Sequence, residues 1–244
     1  MFAFLRRTTG LVPVITVAAL LFAACGKSSS KSSSTSSSTS STGRVIPSLG
    51  ATSTYAILAG SAISCTTGAT VGGDVGLSPG SGSSITGFPP CTQTGAQHAA
   101  DAVAAAAQLD LTAAYNGLKG LACGTTISAD LGGTTLAPGV YCSGSGINLT
   151  GALTLSGTGT YVFQAGSALT VATSGSVVLA NGAQAKNVYW QVGSSATLGN
   201  GSAMKGNVVA LTSISLGTTA NLVGRALARN GAVSLAGTNT ISLP

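Results

Sequence analysis

NVYWQVGSSATLGNGSAMKG (187–206), NVVALTSISLGTTANLVG (207–224) and RALARNGAVSLAGTNTIS (225–242) state one pattern three times. Each copy opens on an apolar run: Val188 to Val192, Val208 to Leu211, Ala226 to Ala228. Each continues with a short alternating run, Ala196–Leu198, Ile214–Leu216 or Val233–Leu235, and a third follows near Met204, Leu222 and Ile241. A period of about 18 to 20 residues with three short strands per period is the sequence form of a β-solenoid. A coil of that size cannot bury a core alone, so its neighbours must stack on it.

Upstream of these copies the same grammar runs through GTYVFQAGSALTVATSGSVVLANGAQAK, INLTGALTLSG and DLGGTTLAPGVYCSG, and it is already present in LGATSTYAILAGSAISC (49–65). Between the early and late strands lies an alanine-dense stretch without proline. It predicts a long helix over about 95–120, with Ala99, Val103, Ala106, Leu109, Ala113 and Leu118 on its packing side. Such a helix would be about 36 to 39 Å long and suits a rod laid along a stack of coils. His98 would fall in its first turn as a polar surface residue. Because the helix interrupts the repeats, the first strands must dock onto coils made much later in the chain. Asp74, between glycine-rich segments, is expected to accept backbone N–H groups in a turn rather than to catalyse.

The amino terminus reads as an address and a tether. MFAFLRR precedes an apolar run from Leu11 to Ala24, which has the form of a secretory signal peptide over 1–24. Cys25 directly after Ala23 and Ala24 resembles the bacterial lipoprotein signal, which implies a lipid on Cys25; ordinary cleavage leaving a free thiol is the alternative. Gly26 is not the aspartate that would suggest inner-membrane retention, so a surface-facing location is expected. Residues 25–44 are a serine-rich low-complexity tether with nothing apolar to bury. Residues 45–244 form one domain of about 200 residues.

The formal charge of +6 belongs mostly to that leader. Arg6, Arg7, Lys27, Lys31 and Arg44 lie at or before the domain boundary. The domain sets Lys119, Lys186, Lys205, Arg225 and Arg229 against Asp74, Asp101, Asp110 and Asp130. It is therefore close to neutral, and its basic pI is no sign of nucleic-acid binding. Polysaccharide-cleaving β-helices need clustered carboxylates, cations or a metal. Four scattered Asp, no Glu and a single His argue against an enzyme, so no catalytic residue is assigned. No cysteine spacing matches a zinc pattern, and neither a metal nor a cofactor is expected. After Cys25, an even set of four cysteines in an exported domain reads as two disulfides. Three pairings are open, of which sequence order favours Cys65–Cys91 and Cys123–Cys142.

LGATSTYAILAGSAIS, GGDVGLSPG, ITGF, the alanine-rich helix with AAYN, TLAPGVY, YVFQAGSALT, NVYWQVGSSATLG and GRALARNGAVSL together resemble the large microbial ice-binding (antifreeze) protein family over about residues 48–243. The resemblance implies a mostly β fold: a discontinuous, right-handed parallel β-helix with one long α-helix packed alongside. It also implies adsorption to ice by a flat face, with the ice crystal as partner.

Strand alternation gives such a face independently. Ser64, Asn148, Thr170, Thr197, Ser215 and Ser234 fall in one outward column, and Ala62, Ala168, Ser195, Ser213 and Ala232 in a second, two residues earlier. Matching to the family adds Thr86 of ITGF. Ile63, Ile147, Leu169, Leu198, Leu216 and Leu235 mark the inward rows, with a sign that alternates between coils. A competing face would use Thr67, Thr70, Thr219, Asn221, Thr238 and Thr240. The protein is expected to act as a monomer, exported and held to the cell envelope through Cys25, or secreted if Cys25 is not lipidated. The rival function is a cell-surface adhesin or carbohydrate-binding module on the same fold; Trp190, the single tryptophan, suits the core better than a sugar platform.

Overall fold

A computed structural model of the protein describes residues 46–244. The signal peptide, Cys25 and the serine-rich tether lie outside those residues. The described chain is mostly β, with parallel strands and one α-helix, as the repeats and the resemblance imply. Strand-length alternation makes the coils: the three-residue strands Ile147–Leu149, Leu169–Val171 and Ala196–Leu198 each bury their two outer residues and expose the middle one. Each such Leu, Ile or Val removed from water contributes roughly 1.5–3 kcal/mol, which is only available once coils stack.

The coils have three faces. The first carries Thr125–Thr126, Gly139–Ser143, Tyr161–Ala165, Val188–Val192, the second halves of Ala203–Ala210 and Asn221–Ala228, then Tyr55–Ala59, Asp74–Leu77 and Gln97–Ala99. The second is a separate seven-stranded sheet, from Ile147–Leu149 through Leu169–Val171, Ala196–Leu198, Ile214–Leu216, Val233–Leu235 and Ile63–Cys65 to Ile85–Thr86. The third holds Thr135–Leu136, Ala152–Ser156, Ser176–Ala180, the first halves of the two long strands, Thr240–Ser242, Thr70–Gly72 and Thr92–Gln93. At the corner between third and first faces, Gly206 and Gly224 have φ of 108° and 156°. A Cβ on Gly224 would overlap the Gly206 carbonyl, so the corner admits only glycine there.

The stack is discontinuous in sequence, as expected. Ile57 pairs with Ala226, Ile63 with Val233 and Thr70 with Thr240, so the amino-terminal coil sits on the carboxy-terminal one. The coils also taper. Tyr161 pairs with Val188, 27 residues on, whereas Tyr189 pairs with Asn207 and Asn207 with Arg225, each 18 residues on. The wide end is filled by Tyr141, Phe163 and Trp190, stacked with ring centroids 5.4 and 4.1 Å apart. In the narrow coils the same inward column continues as Val208, Ala226 and Ile57. Trp190 is 1% exposed and its indole N–H donates to the Lys205 carbonyl at 2.9 Å, so it is a core residue.

The helix is shorter than the sequence suggests. It spans Ala102–Lys119, about 27 Å. Asp101 caps it by accepting the Ala104 N–H at 2.7 Å. Residues before the cap go to the sheet: Gln97–Ala99 pairs with the strand Asp74–Leu77, which places His98 on a strand with Nδ1 2.9 Å from Asp101 Oδ2. Asp74 accepts the Ala96 N–H at 2.8 Å, the backbone role expected of it.

The packing side also differs from the one expected. Ala104, Ala107, Leu111, Ala114, Tyr115 and Leu118 are buried, while Val103 is 52% and Leu109 73% exposed. With alanine on nearly every side, two apolar rows exist, and the bulk of Leu111 and Tyr115 decides which one docks. That row packs on Leu58, Val140, Val162, Val209 and Leu227 of the first face. Two arginines fasten elements remote in sequence to the late coils. Arg225 donates to Asn207 Oδ1 at 2.7 Å and to the Ser53 carbonyl at 2.6 Å. Arg229 donates to Thr112 Oγ1 at 3.2 Å and lies 5.6 Å from the Tyr115 ring centre. The disulfides are Cys65–Cys91 and Cys123–Cys142, the pairing that sequence order favoured.

Candidate functional site: a flat, uncharged sheet

With the first face under the helix, two faces remain open. On the seven-stranded sheet, the middle residues form one unbroken register: Asn148, Thr170, Thr197, Ser215, Ser234, Ser64 and Thr86. Strand alternation assigns six of them to the outward column, and the family resemblance adds Thr86. Six steps of about 4.8 Å make the column about 29 Å long. The second column is aligned by the ladder itself. Ile147, Leu169, Ala196, Ile214 and Val233 donate their N–H groups to the carbonyls of Ala168, Ser195, Ser213, Ala232 and Ala62.

The inward rows do not alternate in sign, contrary to the expectation. Ile147, Leu169, Ala196, Ile214, Val233 and Ile63 share one inward row, and Leu149, Val171, Leu198, Leu216, Leu235 and Cys65 the other. The apparent alternation came from picking the bulkier residue of each strand, which is the first in some coils and the third in others.

A further column went unassigned from sequence. The N–H groups of Ala172, Gly199, Gly217, Ala236 and Thr66 donate to the carbonyls of Leu149, Val171, Leu198, Leu216 and Leu235, so these five share the register two residues past the middle column. Its signal was a small residue after every third strand position, hidden because glycine there also reads as a turn. The three columns are about 6.6 Å apart. They carry hydroxyl, amide and methyl groups and no ionisable side chain. Ser195 and Ser213 engage their hydroxyls with the neighbouring coils: Ser195 Oγ lies 2.7 Å from Thr212 Oγ1, and Ser213 Oγ accepts the Ala232 N–H at 3.1 Å. In the middle column the hydroxyl contacts are long: Ser215 to Thr197 and Thr86 to the Ile63 carbonyl, each at 3.5 Å.

The nearest charge stands at the lower end, where Asp130 bridges to Asn148. The Thr150 hydroxyl and the Gly132 N–H donate to its carboxylate and hold its pKa below the usual carboxylate range. Among the described residues, no three His, Cys, Asp or Glu gather where they could hold a metal ion. What the sheet offers is a rigid array. Its side chains are short, threonine is stiff at χ1 and the backbone beneath is fixed by the ladder, so immobilising a layer against it costs little conformational entropy.

The third face is less regular. Asn221, Thr240 and Thr70 are in register, but Thr67, Thr219 and Thr238 lie in the turns beside it, Thr219 with φ of 60°. The parallel outward column holds Val178, 46% exposed, and Lys205, whose long charged side chain interrupts any flat array. The buried Trp190 leaves no tryptophan platform for a sugar on either face.

Comparison with known proteins gives a consistent result. Residues 57–242 match the family described as Ice-binding-like. The ice-binding protein of Nostoc sp. (strain HG1) is 47% identical over 203 residues, covering 81% of this chain and 74% of that protein. The ice-binding protein of Flavobacterium frigoris (strain PS1) is 33% identical over 218 residues, covering 80% of this chain and 76% of that protein. Among solved structures, an ice-binding protein from an Antarctic biological consortium superposes with a TM-score of 0.79 at 43% identity, covering 82% of this chain and 92% of that one. One from the Antarctic ascomycete Antarctomyces psychrotrophicus gives 0.76 at 40%, covering 81% and 98%.

Proposed function

The chain belongs to the ice-binding-like family, and from that premise we propose that it binds ice through its seven-stranded sheet and thereby slows ice growth and recrystallisation. The observation that carries the reading is the unbroken column Asn148, Thr170, Thr197, Ser215, Ser234, Ser64 and Thr86, uncharged and regularly spaced. Water bound over such an array takes up regular positions and can join a crystal lattice. A protein held there forces the ice front to grow between adsorbed molecules with raised curvature. No proton, electron or covalent step is involved. The relatives compared are ice-binding proteins, and the face holds no group suited to acid–base work.

The amino-terminal sequence supports a place of action. The apolar run ending in Ala23, Ala24 and Cys25 supports export and lipidation at Cys25, and Gly26 supports a surface-facing position. The serine-rich run then links the anchor to the domain, which works as a monomer at the cell envelope, sparing the cell from recrystallising ice or holding it to ice. Watching ice crystals under a microscope tests the function. The folded protein should facet or arrest crystals and keep grains small on annealing; crystals that grow as round discs and coarsen as in buffer would refute it.

A further inference from the structure

The two columns that flank the middle one are not equivalent. Ser213 N–H and Ala232 N–H take no backbone partner at their corner, where the ladder is made by Thr212, Ile214, Gly231 and Val233 on either side. Instead Ser195 Oγ accepts the first at 3.4 Å and Ser213 Oγ accepts the second at 3.1 Å, with Thr212 Oγ1 holding Ser195 at 2.7 Å. These hydroxyls complete the hydrogen bonding of a partly buried corner, supplying the acceptors that the ladder leaves out. All five residues of this column, Ala62, Ala168, Ser195, Ser213 and Ala232, are only half-exposed.

The opposite column is more open. Thr66 and Ala236 are exposed, and Ala172, Gly199 and Gly217 carry a methyl group or nothing. A Cβ on Gly199 would overlap the Val171 carbonyl, and one on Gly217 the side chain of Asn200, so no side chain can stand at either place. Beside Thr197 and Ser215 the sheet therefore presents backbone packed tightly on the neighbouring coil, with no side chain standing above the hydroxyl column. Ordered water can reach the hydroxyl column from that side with no side chain in its way.

We propose that ice is contacted by the middle column together with Thr66, Ala172, Gly199, Gly217 and Ala236, and that Ser195 and Ser213 fasten the far corner without touching ice. The inference rests on the seven-stranded sheet being the ice-binding face. It is tested by ice-affinity partitioning of the full chain beside Ala236→Tyr and the Ser195→Ala/Ser213→Ala double variant, each with a thermal melt. Ala236→Tyr should lower the ice-bound fraction about tenfold, equivalent to ~1.4 kcal/mol, with an unchanged melt. If that variant fails to fold, Thr66→Tyr on the neighbouring coil should give the same loss. The serine double variant should melt lower yet partition within about twofold of the parent. Tyrosine variants that partition like the parent, or a serine variant that loses ice with its melt intact, would overturn the inference. A parent protein excluded from ice would instead refute the proposed function itself.

Discussion

Single residues set the stability of the element that covers the first face. Asp101 caps the helix through the Ala104 N–H, and that bond, with the His98 side chain next in effect, holds its carboxyl below the ordinary value. A depressed folded pKa means that the stabilisation is complete above the unfolded value of about 3.9 and is lost as pH falls through the folded one. Asp101→Ala should therefore lower the melting temperature near neutral pH. Below the folded pKa the parent and variant melts should converge; a gap that persisted in strong acid would show that the cap's charge is not what matters. Which residues point outward from the seven-stranded sheet was legible in the sequence because alternation of three-residue strands leaves one choice of outward residue. The column beyond the middle one, Thr66, Ala172, Gly199, Gly217 and Ala236, was not legible. Gly199 and Gly217 look like turn residues until the ladder bonds of their N–H groups are seen.

At the scale of elements, the helix shows where sequence periodicity stops being informative. A near-continuous alanine surface offers Val103, Ala106 and Leu109 as readily as Ala104, Ala107 and Leu111, and only the fit of Leu111 and Tyr115 against Leu58, Val162 and Leu227 selects the docked row. Leu111→Ala should cost about 2–5 kcal/mol, the usual range for a buried leucine. Leu109→Lys on the open side should change stability by no more than about 0.5 kcal/mol. Urea melts of the two variants separate the assignments, and equal losses would contradict the docking seen here. The helix start was misplaced for a related reason: Gln97–Ala99 is helix-compatible in composition, but it supplies a strand that covers the last edge of Asp74–Leu77.

For the whole molecule, the repeat in residues 187–242 and the interruption by the helix already implied a stack closed out of sequence order. The pairing of Ile63 with Val233 is that closure. The taper was not implied, since it follows from how Tyr141, Phe163 and Trp190 stack inside the wide coils. The disulfides stand toward the two ends of the stack, where coils lack a second neighbour: Cys65–Cys91 ties the loop after Ile85–Thr86, and Cys123–Cys142 ties the segment before Thr125–Thr126. Closing loops of these lengths contributes about 3 kcal/mol each on a chain-entropy estimate. The result is a rigid prism with one face clad by the helix, one interrupted by Lys205 and one flat. The flat face is the one proposed to meet ice, and ice-affinity partitioning of the parent, Thr197→Tyr and Thr240→Tyr distinguishes it from the third face. Both side chains are exposed, so both variants should fold and melt like the parent. Thr197→Tyr should be left in the liquid, while Thr240→Tyr enters ice as the parent does. Enrichment of Thr197→Tyr in ice, with loss of Thr240→Tyr, would move the binding surface to the third face and contradict the account.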